Sequence, residues 1–334
     1  MKQIDDSILT RLAFGCIRAV KSRTGWQFFR FTEKQTELFS AYNPYYPEPF
    51  FDGYFLRNCY TDAGISLDFE TDSSSVTFHI ADNTPANGSV NNLFDIFVNG
   101  KLRLFAEEPG QYTVTLRGKN RVTLCFPFFS HLTVSGIEVD DGSYVIPHTF
   151  RKKWLILGDS ITHGCTATHP GLCYGVRAAL RYDVEILNQG NAGYIHDDRI
   201  IDAEMPFEPD VITSAYGIND LGRKSLANNI ADTERYFAEL RCAFPAGKIY
   251  MISPIWAAFL DGKDQKQRRD AMYDIYTAVS EKLNITMIDG RKLVPHNRKY
   301  YLEDGVHPCD KGFSYYAFRL GRILFDNPNT DDQD

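Results

Sequence analysis

The chain changes its hydrophobic period near its middle. Up to about residue 148, apolar and polar positions alternate in short runs: Ile65-Ser66-Leu67-Asp68-Phe69, Val76-Thr77-Phe78-His79-Ile80 and Tyr112-Thr113-Val114-Thr115-Leu116. A period of two turns one side of a strand to a core and the other to water. Asn99-Gly100, between Asp95-Ile96-Phe97-Val98 and Lys101-Leu102-Arg103-Leu104-Phe105, is a hairpin signature, because both residues accept positive φ. Arg117-Gly118-Lys119-Asn120 and Asp140-Asp141-Gly142 mark further turns. Short strands joined by turns predict an antiparallel, jelly-roll-like β-sandwich over residues 1–150. No catalytic motif is visible in that half.

From Lys153 onward, short apolar runs alternate with helix-length amphipathic segments. The predicted strands are Trp154-Leu155-Ile156-Leu157, Val184-Glu185-Ile186-Leu187, Val211-Ile212-Thr213-Ser214-Ala215, Ile249-Tyr250-Met251-Ile252 and Ile285-Thr286-Met287-Ile288. Between them Ile230, Tyr236, Phe237, Leu240 and Phe244 recur near helical spacing, as do Met272, Ile275, Tyr276 and Val279. Such βα alternation over residues 151–330 predicts a parallel sheet with helices on both faces. Thr149-Phe150-Arg151-Lys152 contains no Gly/Ser/Pro linker, so the two halves are expected to pack together.

Composition narrows the function. With 334 residues, 43% hydrophobic and 24% charged, the chain reads as an ordinary globular protein of two domains. A net charge of −7 argues against nucleic acid as partner, since phosphates would meet no excess of cations. No apolar run approaches the ~18 residues that span a bilayer, which argues against a membrane partner. The N-terminal residues are acidic where a signal peptide is apolar, and seven irregularly spaced cysteines suggest thiols. Together these lead to the expectation of a cytoplasmic protein.

Three short segments carry candidate chemistry: Gly158-Asp159-Ser160, Gly217-Ile218-Asn219-Asp220 and Asp304-Gly305-Val306-His307. From average residue usage, Gly-Asp-Ser or Gly-x-Asn-Asp should occur only about 0.1 times each by chance in a chain this long. Each segment follows a predicted strand, and ligands of open parallel sheets gather at the carboxyl ends of the strands. Ser160 follows the first strand, Asn188 to Gly193 the second, Asn219 the third, and Asp304 and His307 the fifth. Ser160 is the candidate nucleophile, which needs a base to take its proton. His307 is that base, and Asp304 would fix its tautomer and stabilise the imidazolium. Gly193, through a backbone N–H with no Cβ beside it, and Asn219, through its amide, are candidate oxyanion donors together with Ser160. Alternatives stand beside each residue taken singly. Ser160 could cap a helix, His307 could be structural, Gly193 could be a turn glycine, and Asn219-Asp220 could be an N-cap pair.

These segments resemble the blocks of the SGNH, or GDSL-type, esterase and lipase superfamily. Gly158-Asp159-Ser160 resembles its first block, Asn188 through Gly193 its second, Gly217-x-Asn219-Asp220 its third and Asp304-x-x-His307 its last. Ile161 stands where the family name has leucine. The resemblance covers roughly residues 153–325. It implies a flavodoxin-like three-layer fold and ester hydrolysis through an acyl-enzyme, without metal or cofactor, with Asp159 and Asn188 as supporting residues. A β-sandwich ahead of such a domain resembles carbohydrate esterase family 2 and related bacterial deacetylases. That likeness implies O-acetyl esters of sugars or oligosaccharides as substrates, with the sandwich a candidate for carbohydrate contact.

Other readings carry less weight. His163, Cys165, His169 and Cys173 fit no standard zinc spacing. His196-Asp197-Asp198 reads as a solvated loop. The aromatic stretch from Tyr42 to Phe55 (Tyr45, Tyr46, Phe50, Phe51, Tyr54, Phe55) reads as core or domain interface more readily than as a sugar platform. Trp256, just after the fourth strand, is a candidate pocket residue. The segments after the second and fourth strands are short, which predicts a small acyl pocket. Lipid acyl hydrolysis, thioester hydrolysis and a non-catalytic carbohydrate-binding protein are the rivals. The first lacks a lid-like apolar insertion, and the last has no use for an acid three residues before a base.

Overall fold

A computed structural model describes residues 1–41, 43–47, 51–87, 92–258 and 263–326. Two antiparallel sheets form the sandwich. One runs in the order Arg18–Lys21, Trp26–Phe29, Ser130–Val139, Ser75–Pro85, Gly110–Thr115, and the other Val145–Pro147, Ser66–Thr71, Asn120–Cys125, Phe94–Val98, Lys101–Ala106. The predicted hairpin closes at Val98 opposite Lys101, with Asn99 at φ 51° and Gly100 at φ 71°. Phe69, Phe78, Phe94, Val122 and Leu132 are among the inward residues that leave water completely.

The second half is a five-stranded parallel sheet: Lys152–Gly158, Val184–Gly190, Val211–Ala215, Lys248–Ile252 and Thr286–Ile288. The spatial order, counting these strands along the chain, is 2-1-3-4-5. That is the flavodoxin-like order, and it puts a switch point beside the first strand, where a crevice opens at the carboxyl ends. Separate apolar clusters cover the two faces of the sheet, and α/β/α layering follows. Helix Leu226–Ala243 buries Asn229, Asp232, Thr233, Tyr236, Phe237 and Leu240. Ile230, expected on that stripe, is 44% exposed because it sits about 100° away from Asn229 and off the buried face. Among the described residues, no helix is long and apolar enough to cross a membrane.

The two halves share their cores. Phe31, Phe39, Tyr46 and Phe55 join the cluster under one face of the parallel sheet, and Phe97, Cys125 and Phe128 join the other. Helices Glu33–Ser40 and Tyr54–Cys59 belong to no sandwich sheet and pack on the second half. Helix Glu33–Ser40 starts on a capping box, with Thr32 Oγ1 accepting from Gln35 N and the Gln35 side chain accepting from Thr32 N.

Candidate active site

The first strand ends in a turn too tight for any side chain at Gly158, where a Cβ would lie 2.1 Å from Thr162 Oγ1. Asp159 then caps the short helix Ser160–His163 by accepting from Ile161 N at 3.0 Å, which leaves the Ser160 hydroxyl free of capping duty. Burial pushes the Asp159 carboxyl up to about 7. The Ser160 Oγ lies 2.8 Å from His307 Nε2.

His307 sits on a loop that holds itself together. Leu302 N donates to His307 O, Gly305 N donates to Leu302 O, and Tyr301 bridges to Pro308. Asp304 Oδ1 accepts from Val306 N at 2.8 Å and His307 N at 3.0 Å, and Oδ2 lies 2.7 Å from His307 Nδ1. Partial burial raises the Asp304 carboxyl, but these N–H groups and the ring outweigh it and hold it below the usual carboxylate range. With Nδ1 donating to Asp304, Nε2 is left as acceptor for the Ser160 hydroxyl. The structure thus brings the three proposed catalytic side chains into one chain of hydrogen bonds.

The loop after the second strand is tied to the turn that carries Ser160. Asn191 N donates to Gly158 O at 2.9 Å, and Ala192 N donates to His163 Nδ1 at 3.3 Å. Asn188 is buried, donates to Thr162 O and accepts from Gly190 N. Gly193 has φ 82°, a left-handed conformation that favours glycine, and its N–H finds no backbone acceptor among the described residues. Asn219 Nδ2 donates to Tyr194 O at 3.0 Å, which joins the third-strand loop to the second. One hydrogen of that amide is engaged, and the other remains. Asn219 does not cap the helix Ile218–Arg223: Gly217 occupies that position, and Asp220 lies inside the helix as a buried ion-pair partner.

Much of the support comes from the N-terminal half, where the sequence showed no sign of a site. Arg30 is completely buried. Its guanidinium donates to Thr61 O, Asn58 O, Asn188 O and Gly190 O at 2.7–2.8 Å, and to Thr61 Oγ1 at 2.9 Å. Burial lowers it to about 10, still charged at neutral pH. Asn58 Nδ2 donates to Asn191 Oδ1, Asn191 Nδ2 to Phe55 O, and the Tyr46 hydroxyl to Gly193 O. The rings of Phe55, Tyr54 and Phe51 lie 3.6–4.0 Å from where a Gly193 side chain would project. The aromatic stretch is therefore an interface laid over the candidate oxyanion loop. Tyr42 and Phe50 lie outside the described residues. A cation inside the aromatic run Phe28-Phe29-Arg30-Phe31 was the available signal, because a charge in an apolar segment is buried only when paired.

Other expectations turn out differently. His196 is not in a solvated loop: it is 1% exposed, with Nδ1 3.3 Å from Asp220 and Nε2 3.1 Å from Tyr276 Oη, and Asp197 is buried with it. The His/Cys set disperses. Burial and the neighbouring Arg30 push His163 well below its usual range, and its Nε2 lies 2.6 Å from Phe128 O; His169 pairs with Asp95 of the sandwich at 2.9 Å; burial raises both the Cys165 and Cys173 thiols. Among the described residues, no three His, Cys, Asp or Glu side chains group to hold a metal. Trp256 is 8% exposed, stacks on His296 and meets Tyr301 edge-on. It lines a cleft with Lys266, Arg269, Arg291 and His296, in which none of the three catalytic candidates takes part.

Known proteins agree with this architecture. The chain is similar to the salicylyl-acyltransferase SsfX3 from a tetracycline biosynthetic pathway, at 18% identity and TM-score 0.77, covering 94% of this chain and 96% of that one. A GDSL-like lipase from Bacteroides ovatus, itself described as unproven in function, gives 17% identity and TM-score 0.69 over 96% and 95%. A family two carbohydrate esterase from Cellvibrio japonicus gives 17% and 0.60 over 80% and 90%. At such identities the likeness establishes the fold. No curated protein matches the sequence. Residues 156–314 match the model of the GDSL-like lipase/acylhydrolase family, and with the carbohydrate esterases among the similar structures this makes the protein a carboxylic ester hydrolase of the GDSL type.

Proposed function

We propose that the enzyme removes small acyl groups, chiefly O-acetyl, from carbohydrate esters through an acyl-enzyme on Ser160. The observation that carries this reading is the hydrogen-bonded series Ser160–His307–Asp304, at 2.8 and 2.7 Å. His307 Nε2 takes the hydroxyl proton as Ser160 Oγ attacks the acyl carbonyl, and Asp304 stabilises the imidazolium. The carbonyl oxygen becomes negative and is met by the N–H groups of Gly193 and Ser160 and the amide of Asn219. Collapse expels the sugar alkoxide, which takes the proton from His307. Water then repeats the sequence and releases acetate and Ser160. The aromatic rings packed against Gly193 leave little depth beside that glycine, which supports a short acyl group, and the carbohydrate esterases among the similar structures support a sugar as the alcohol.

A second reading shares the acyl-enzyme but passes the acyl group to an alcohol other than water. The similarity to a named acyltransferase over nearly the whole chain favours considering it. A series of p-nitrophenyl acetate, butyrate and octanoate, followed by acetylated sugars with and without added alcohols, tests both. Each methylene should cost about 1–3 kcal/mol in kcat/KM. Octanoate hydrolysed as fast as acetate overturns the acetyl reading, and acyl-alcohol outcompeting free acid establishes transfer.

A further inference from the structure

Asn219 and the loop that carries Gly193 are joined below the surface by a buried set of charges. Asp220 and Lys224, on or just after one helix, and His196, three residues beyond Gly193, have side chains removed from water entirely. Asp220 accepts from Lys224 Nζ at 2.9 Å and from His196 N at 3.2 Å, and faces His196 Nδ1 at 3.3 Å. Lys224 Nζ also donates to His196 O at 2.7 Å and to Asp232 at 2.9 Å. Asp232 accepts a further bond from the Tyr45 hydroxyl. Burial raises the Asp220 carboxyl, but His196 and Lys224 overcome that and hold it at about 2, so it is charged at neutral pH.

Retaining so many charges away from water is costly, and apolar residues of similar volume often serve stability as well. What apolar residues could not do is hold both polar backbone groups of His196. Asp220 takes its N–H and Lys224 takes its carbonyl, and the two residues lie one and five positions after Asn219. A carboxylate adjacent to Asn219 would also oppose a negative charge on a substrate oxygen, unless a cation at contact distance cancels it. We infer that Lys224 and Asp220 are positioning residues for the oxyanion hole, clamping the Gly193 loop to Asn219 and neutralising the carboxylate beside it. The inference rests on Gly193 and Asn219 being the oxyanion donors.

The test measures kcat and KM on p-nitrophenyl acetate, per active site counted by the burst with diethyl p-nitrophenyl phosphate. It also measures affinity for phenylboronic acid, whose tetrahedral adduct presents an oxyanion. Lys224→Met should lower kcat about 10–100-fold with KM nearly unchanged, and weaken the boronate by a similar factor. Asp232→Asn, which leaves the Asp220–His196 clamp in place, should change kcat less than about threefold even where it lowers Tm. If Lys224→Met does not fold, Lys224→Gln keeps a donor without the charge and should lose about tenfold in both measurements. Full kcat per counted site, or unchanged boronate affinity, overturns the inference. Asn219→Ala separates the two levels. A loss of about 10²–10³ there with none at Lys224 sinks only the clamp, whereas no loss at Asn219 removes the oxyanion assignment on which it rests.

Discussion

The two sides of this site are built in opposite ways. Asp304 and His307 lie on one loop closed by its own backbone hydrogen bonds, and Ser160 is presented by a turn that Asp159 caps locally. The candidate oxyanion loop, Asn188 to Gly193, is held from far away in sequence: Arg30 reaches 158 and 160 residues to Asn188 O and Gly190 O, and Asn58 and Tyr46 reach Asn191 and Gly193. Chemistry carried by local segments can tolerate change elsewhere in the chain. Chemistry carried by a loop pinned from another half would make that half part of the candidate site.

Removing the proposed nucleophile gives the largest expected change. Ser160→Ala should abolish turnover, by at least about 10⁴-fold, because the proposed acyl-enzyme could not form. The Asp159 cap and the interface remain, so the denaturant midpoint should stay close to the parent's. A variant that loses activity together with several kcal/mol of stability would show that the Ser160 hydroxyl itself holds this turn together.

Arg30→Met probes the other side. It takes the guanidinium donor from the carbonyls of Asn58, Thr61, Asn188 and Gly190 in a dry interface, with Asn58 O keeping a donor in the Thr61 hydroxyl, which should cost about 3–5 kcal/mol by urea unfolding. Turnover of the folded fraction should fall as well, although Arg30 does not touch Ser160, His307 or Asp304. A fragment starting near Arg151 should fail in the same way, because it loses Arg30 and exposes the apolar surface shared with Phe31, Phe39, Tyr46 and Phe55. Full activity from that fragment would dissolve the contrast between the two sides.

This contrast also explains what could be read from the sequence. Strand periodicity placed all five parallel strands, and the carboxyl-end positions of the candidates Ser160, Asn219 and His307 followed from it, because these signals are short in sequence. The Asn99-Gly100 hairpin was legible for the same reason. Arg30, Asn58 and Lys224 were not, since their meaning lies in partners distant in the chain or in the burial of a charge that composition alone would send to water. His196 misled for that reason: His-Asp-Asp looks solvated until Asp220, Lys224 and Tyr276 close around it. The helices Glu33–Ser40 and Tyr54–Cys59 were lost in a half whose strands dominate the pattern.

A pH measurement addresses the local side. The Asp159 carboxyl is held at about 7 in the folded protein by burial, against about 3.9 when unfolded. The folded state therefore binds a proton that the unfolded state has released. This contribution to stability is complete below about pH 4 and is lost as the pH rises toward 7, with a slope of at most about 1.4 kcal/mol per unit. Asp159→Asn should flatten the wild-type decline between those values in urea titrations. An unchanged slope would mean the carboxyl keeps an ordinary affinity for protons and some other group sets the pH dependence.

Tyr46→Phe is the smallest perturbation and examines the remote side most finely. It removes one hydroxyl and keeps the ring that packs on Phe55 and Tyr194 and lies under Arg223. The Gly193 carbonyl loses a donor, and a hydrogen bond of this kind contributes about 0.5–1.5 kcal/mol. Part of that cost belongs to folding. The rest belongs to the orientation of the Gly193 peptide, since rotating its carbonyl also turns the N–H of Tyr194 and the path to Asn219, which bonds Tyr194 O. The expected outcome is a kcat lowered a few-fold with KM little changed, because the oxygen that Gly193 is proposed to meet is most negative in the transition state. If stability drops by that amount while kcat per active site is untouched, Tyr46 merely fastens the two halves. If kcat falls while Tm does not, the N-terminal half reaches the chemistry through this single hydroxyl.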